Sequence, residues 1–169
     1  MHDLTLSRDD FGVLSAAVLE RGDGLRFRAR GNSMLPFIRD GDVLLVRPGL
    51  ETRPGDVVLC RAGDGRVLAH RVTRVHEQSN RRSILLQGDA HPWSDGLFPL
   101  DDILGRVVAV ERGRRRVRLD AGLHRWLGWL WSGASPLRRR IYYALAVGLA
   151  HGGRWAKRLK WTSGIFSRP

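Results

Sequence analysis

Apolar positions change period along this chain. Met1–Gly24 carries Ser7-Arg8-Asp9-Asp10, the composition of a capping box, and then Phe11, Leu14, Ala17 and Val18 at helical spacing. The pattern predicts a short amphipathic helix with charges at both ends, neither a secretory signal nor a membrane span. From residue 25 the period becomes that of strands. Leu25–Arg30 alternates, Val43–Val46 and Val57–Cys60 are short apolar runs, and Arg66–Val75, Arg82–Leu86, Leu104–Val110 and Arg114–Leu119 follow between glycine-rich turns. This spacing predicts a mainly β fold, a coiled, barrel-like antiparallel sheet over residues 25–120.

The last third reads differently. Gly122–Ser132 carries Leu123, Trp126, Leu127, Trp129, Leu130 and Trp131, and Ser135-Pro136 makes a helix start before a segment rich in Arg, Tyr and aliphatic residues. Its uninterrupted apolar run, Ile141–Ala150, is ten residues long, against the roughly 20 that a spanning helix requires. Amphipathic C-terminal helices are expected over 121–169. The chain thus divides into an N-terminal helix (1–24), a β domain (25–120) and a basic, Trp-rich tail (121–169).

Charge sharpens that division. The chain has 169 residues, 43% of them hydrophobic, enough for one domain with a proper core, and a net charge of +12. Residues 1–110 hold 15 basic and 15 acidic side chains, whereas 111–169 hold 14 basic and two acidic ones. Trp and Tyr beside arginine clusters suit an interfacial helix, so an anionic membrane surface contacted through residues 121–160 is the partner this composition brings to mind. Docking of the same helices on the sheet is the plainer reading. Nucleic acid is not the expected partner, because no helix-turn-helix, zinc or base-stacking pattern accompanies the basic residues. The single cysteine, Cys60, excludes an internal disulfide and sits in an apolar run as a buried thiol.

The neutral part holds the candidate chemistry. Ser33 lies in Gly31-Asn32-Ser33-Met34-Leu35-Pro36, His70 in a strand-like segment, and Asp89 and Asp95 in Gly88-Asp89-Ala90-His91-Pro92-Trp93-Ser94-Asp95. A serine hydroxyl becomes a useful nucleophile when an imidazole takes its proton, and a carboxylate on the far ring nitrogen fixes the tautomer. Ser33, His70 and either Asp95 or Asp89 can fill these roles. Taken singly, each is a turn former or a strand histidine. Their order, with Gly41-Asp42-Val43 and Gly55-Asp56-Val57 between them, makes the set specific.

These motifs resemble the signal peptidase family, within the broader LexA/signal peptidase-type group of serine peptidases. They are most similar to its endoplasmic-reticulum and archaeal-like branch, which uses histidine where the common bacterial enzymes use lysine. The resemblance covers about residues 25–110. It implies the LexA-like coiled sheet, Ser33 as nucleophile, His70 as general base, Asp95 as the orienting carboxylate and Asp89 as a supporting or alternative one. The chain departs from that family in two places. Gly31 stands where many signal peptidases have a serine that helps bind the oxyanion, leaving that task to backbone N–H groups. The hydrophobic anchor that precedes the catalytic domain in this branch has no counterpart in residues 1–24.

The expected activity is a serine endopeptidase cleaving a leader or signal-type peptide, its partner a peptide or preprotein. A cytoplasmic location is expected, with peripheral attachment to the inner face of the membrane as the variant favoured by the tail. No cofactor is expected: His76, His91 and the loop aspartates have no metal-specifying spacing, and no phosphate-binding glycine loop is present. A LexA-type self-cleaving regulator is the alternative, although about 24 residues before the first strand are too few for a DNA-binding domain. A non-catalytic module that grips peptide or lipid is the other.

Overall fold

The computed structural model describes residues 7–78 and 81–120, together with Leu127 and Leu130. Helix α1 (Arg8–Glu20) precedes eight strands: β1 (Leu25–Arg28), β2 (Val43–Arg47), β3 (Val57–Arg61), β4 (Val67–Gln78), β5 (Arg81–Gln87), β6 (Gly96–Pro99), β7 (Ile103–Arg112) and β8 (Arg115–Arg118). All pairs are antiparallel, in the order β1-β2-β7-β3-β4-β5-β6, with β8 on β7. The chain adopts the expected mainly β fold, a coiled antiparallel sheet, and among the described residues β1 and β6 do not pair, so the sheet is not closed. The tail predicted as helical lies outside the described residues apart from the two leucines. Among those residues, no helix is long and apolar enough to cross a membrane.

The sheet buries both faces instead of closing. Along β3, Val57 and Leu59 join one core with Leu44, Val46, Val107 and Val110, while Val58 and Cys60 join a second with Val72, Ile84 and Leu86. Residues two apart share a face, so a strand covered on both sides reads as a continuous apolar run. Burial pushes the Cys60 thiol up to about 12. A register shift between Val72 and Arg74 leaves Thr73 as an extra residue in β4, and its hydroxyl donates to the Leu85 carbonyl at 3.1 Å. The extra residue flips the alternation, which is why Val72 and Val75, three apart, both face the second core.

Ser7 caps α1 as the sequence predicts, its hydroxyl accepting from the Asp10 N–H at 3.1 Å. The buried stripe is not the predicted one. Gly12, Ser15, Ala16 and Leu19 face the sheet, while of the predicted residues Phe11 and Val18 are half-buried and Leu14 and Ala17 exposed. Small residues let the helix approach the sheet closely, and that packing overrides the larger apolar residues of the other stripe.

Two segments of the chain repeat one another. Arg39-Asp-Gly-Asp-Val-Leu-Leu-Val-Arg47 and Arg53-Pro-Gly-Asp-Val-Val-Leu-Cys-Arg61 are identical at six positions, and they fold alike. In each the aspartate carboxylate accepts from the arginine N–H three residues back, at 2.8 Å for Asp42 and 3.0 Å for Asp56. In each the aspartate N–H returns to that arginine's carbonyl at 3.1 Å. Gly41 and Gly55 take φ of +83° and +94°, the left-handed region that favours glycine. Strand β7 lies between β2 and β3 and sends one arginine to each turn: Arg112 grips Asp42 at 2.6 and 2.8 Å, and Arg106 reaches Asp56 at 3.3 Å.

The Arg112 hydrogen bond, aided by the Arg39 N–H and opposed by burial, holds the Asp42 carboxyl below its ordinary value of 3.8. A depressed pKa contributes stability above the unfolded value that is lost as pH falls through the folded one. Asp42→Asn should therefore cost about 2 kcal/mol at pH 6, and urea melts should show it losing less further stability than wild type between pH 6 and pH 3. Equal acid sensitivity of the two proteins would contradict this assignment.

Candidate active site

The first Gly-Asp turn closes the loop that bears Ser33. Ala29 N–H donates to the Asp42 carbonyl at 2.7 Å, and Gly41 N–H to that of Ala29 at 3.0 Å, pinning the loop's ends. Within it the Gly31 N–H is taken by Asp40 at 2.7 Å. Met34 and Ile38 sink into the first core, and Ile38 N–H donates to the Met34 carbonyl at 2.9 Å. The apolar run after Ser33 does not pack as a block: Leu35 is 37% exposed.

The second Gly-Asp turn anchors the strand of His70. Val72 exchanges two backbone hydrogen bonds with it, its N–H donating to the Asp56 carbonyl and its C=O accepting from Gly55, both at 2.8 Å. His70 sits opposite Val58 in the β3–β4 ladder and is buried, on the face of Val72 and the second core. A strand held on both edges gives its side chain little freedom.

The third segment runs from Gly88 to Asp95, between β5 and β6. Ala90 N–H donates to the Ser33 carbonyl at 2.8 Å, tying this loop to the nucleophile. A methyl group at Gly88 would stand 2.8 Å from the Ser33 carbonyl oxygen, so the approach requires glycine. Asp95 N–H donates to the Leu86 carbonyl at 2.9 Å, and β6 begins at the next residue. The sequence pattern does not predict strand β6, since Gly-Leu-Phe-Pro looks like a turn. Pairing with β5 and burial of Phe98 against the second core make it a strand.

These segments bring three of the four predicted residues into one hydrogen-bonded chain. Ser33 Oγ lies 3.0 Å from His70 Nε2, and His70 Nδ1 lies 2.8 Å from Asp95 Oδ2. With Nδ1 donating to the carboxylate, Nε2 is the acceptor that a serine proton requires. Asp89 goes elsewhere. Both its oxygens accept from Arg71, from Nε and from a terminal nitrogen, each at 2.7 Å, and both side chains are almost wholly buried.

Arg71 is a site residue that motif order alone does not single out. It also donates to the Gly55 carbonyl at 2.6 Å and places its guanidinium 4.7 Å from the centre of the Phe37 ring. One side chain thus touches the second Gly-Asp turn, the nucleophile loop and the Gly88–Asp95 loop. Its signal was present: an arginine in an apolar strand beside a candidate base must find a carboxylate partner if buried.

Fold and site together define a serine-hydrolase arrangement on a coiled antiparallel sheet. The chain belongs to the Peptidase S24-like family, whose sequence model matches residues 5–108. A search of curated proteins finds no match. Family membership supports a serine peptidase or a self-cleaving protein of the LexA type.

The two carboxylates should separate by their effects on folding. Asp89→Ala strands a buried guanidinium and should cost about 3–5 kcal/mol in urea denaturation. Asp95→Asn leaves no buried charge unpaired and should cost under about 1 kcal/mol. Similar losses for both would contradict the division of roles drawn from the geometry.

Proposed function

We propose that this chain is a serine endopeptidase acting through Ser33, His70 and Asp95 on a peptide of leader or signal type. The supporting observation is the unbroken hydrogen-bond chain Ser33–His70–Asp95, at 3.0 and 2.8 Å. As Ser33 Oγ attacks the scissile carbonyl, its proton passes to His70 Nε2, and Asp95 steadies the imidazolium. The oxyanion is met by backbone N–H groups around Ser33, since Gly31 supplies no side chain and its own N–H is held by Asp40. His70 then hands the proton to the leaving amine, and a water activated by the same nitrogen hydrolyses the acyl-enzyme.

The resemblance to signal peptidases favours a substrate bound as an extended peptide. In the same reading the basic, Trp-rich segment 121–160 brings the domain to an anionic membrane surface, each basic residue adding on the order of 1 kcal/mol, and the protein works on the cytoplasmic side. A self-cleaving protein uses the same three residues and differs in yielding fragments of its own chain. A binding module of the same fold would keep its function in Ser33→Ala.

The test is the rate at which a fluorophosphonate labels the folded protein. Ser33→Ala and His70→Ala should abolish labelling, and Asp95→Asn should slow it by roughly 10²–10⁴-fold. Labelling at the wild-type rate in His70→Ala would overturn the reading.

A further inference from the structure

We propose that His91 and Trp93 form a platform at the mouth of the site that recognises an aromatic or large apolar side chain of the peptide, beside the reacting carbonyl. This rests on the serine-peptidase reading and deepens it by naming a substrate class. The point where a methyl on Gly88 would stand lies 3.2 Å from His91 Nδ1 and 3.4 Å from Ser33 Cβ, so the imidazole and the nucleophile flank one small space. The Trp93 ring lies 6.5 Å from that of His91, centre to centre, and within 18° of parallel. The Trp93 side chain is 48% exposed.

The loop that carries both rings is fixed before any ligand arrives. Ala90 N–H holds the Ser33 carbonyl, His91 N–H holds that of Gly88 at 3.0 Å, Gln87 Nε2 donates to the His91 carbonyl at 2.6 Å, and Pro92, which links the two residues, is buried. Rings on a rigid frame offer a large contact area at small cost in ordering. Exposed apolar side chains also gather on the segments that bear the reacting groups: Leu35 is two residues past Ser33, and Leu97, 58% exposed, is two past Asp95. Water covers little of such a surface favourably, and a substrate side chain laid on the indole beside Ser33 would remove both from solvent.

The experiment measures how two small amides protect Ser33 of the full chain from fluorophosphonate. N-acetyl-phenylalaninamide should protect wild type at about tenfold lower concentration than N-acetyl-alaninamide. The preference should shrink to within about twofold in Trp93→Ala and return in Trp93→Phe, each read as a ratio within one variant. Equal protection by both amides in wild type, or a phenylalanine preference that survives Trp93→Ala, would overturn the platform. Failure of wild type to label at all would instead strike the serine-peptidase reading. The platform then stands or falls on whether the phenylalanine amide shifts the Trp93 indole N–H resonance in wild type, identified by its loss in Trp93→Phe.

Discussion

The structure hangs on two Gly-Asp turns gripped by one strand. Asp42 and Asp56 each tie down the backbone three residues back, and β7 holds both through Arg112 and Arg106 while pairing with β2 and β3. The first turn closes the Ser33 loop at Ala29, and the second fixes the His70 strand at Val72. Nucleophile and base stand 37 residues apart in the chain, yet meet at 3.0 Å because each hangs from a copy of the same turn. Buried carboxylates bonded to backbone N–H groups and arginine are rigid supports, since any movement leaves charge unpaired in a poor solvent.

A second network does for the Gly88–Asp95 loop what the turns do for the other two segments. The Arg71–Asp89 pair sits one residue from His70 and six from Asp95, and it is closed to water. The two loop carboxylates therefore divide their work by environment. Asp89, enclosed with a guanidinium, carries the architecture; Asp95, partly open to solvent, is left to the imidazole. Gly88 completes the arrangement by admitting the Ser33 carbonyl where a larger residue would stand.

Much of this was legible in the sequence, and the gaps have physical causes. Seven of the eight strands follow from alternating or short continuous apolar runs, and β6 escaped because its four residues have no pattern apart from the partner that orders them. For α1 the sequence carried the cap and the length but misled on part of the buried face, because a helix that must lie close to a sheet presents Gly12, Ser15 and Ala16 and leaves Leu14 and Ala17 exposed. Ser33 and His70 could be named from motif order, whereas Asp95 was favoured over Asp89 only by the family resemblance. The partner of Arg71 could not be named, since two aspartates of similar context compete and only three-dimensional reach decides between them.

The central claim, that Asp95 and not Asp89 orients His70 for Ser33, is tested most directly by NMR of protein labelled with nitrogen-15 in histidine. A carboxylate bond slows exchange of the Nδ1 proton and moves it downfield, so wild type should show a low-field proton coupled to the His70 ring. That signal should vanish in Asp95→Asn and persist in folded Asp89→Asn. Its survival in Asp95→Asn, or its absence from folded wild type, would contradict the account.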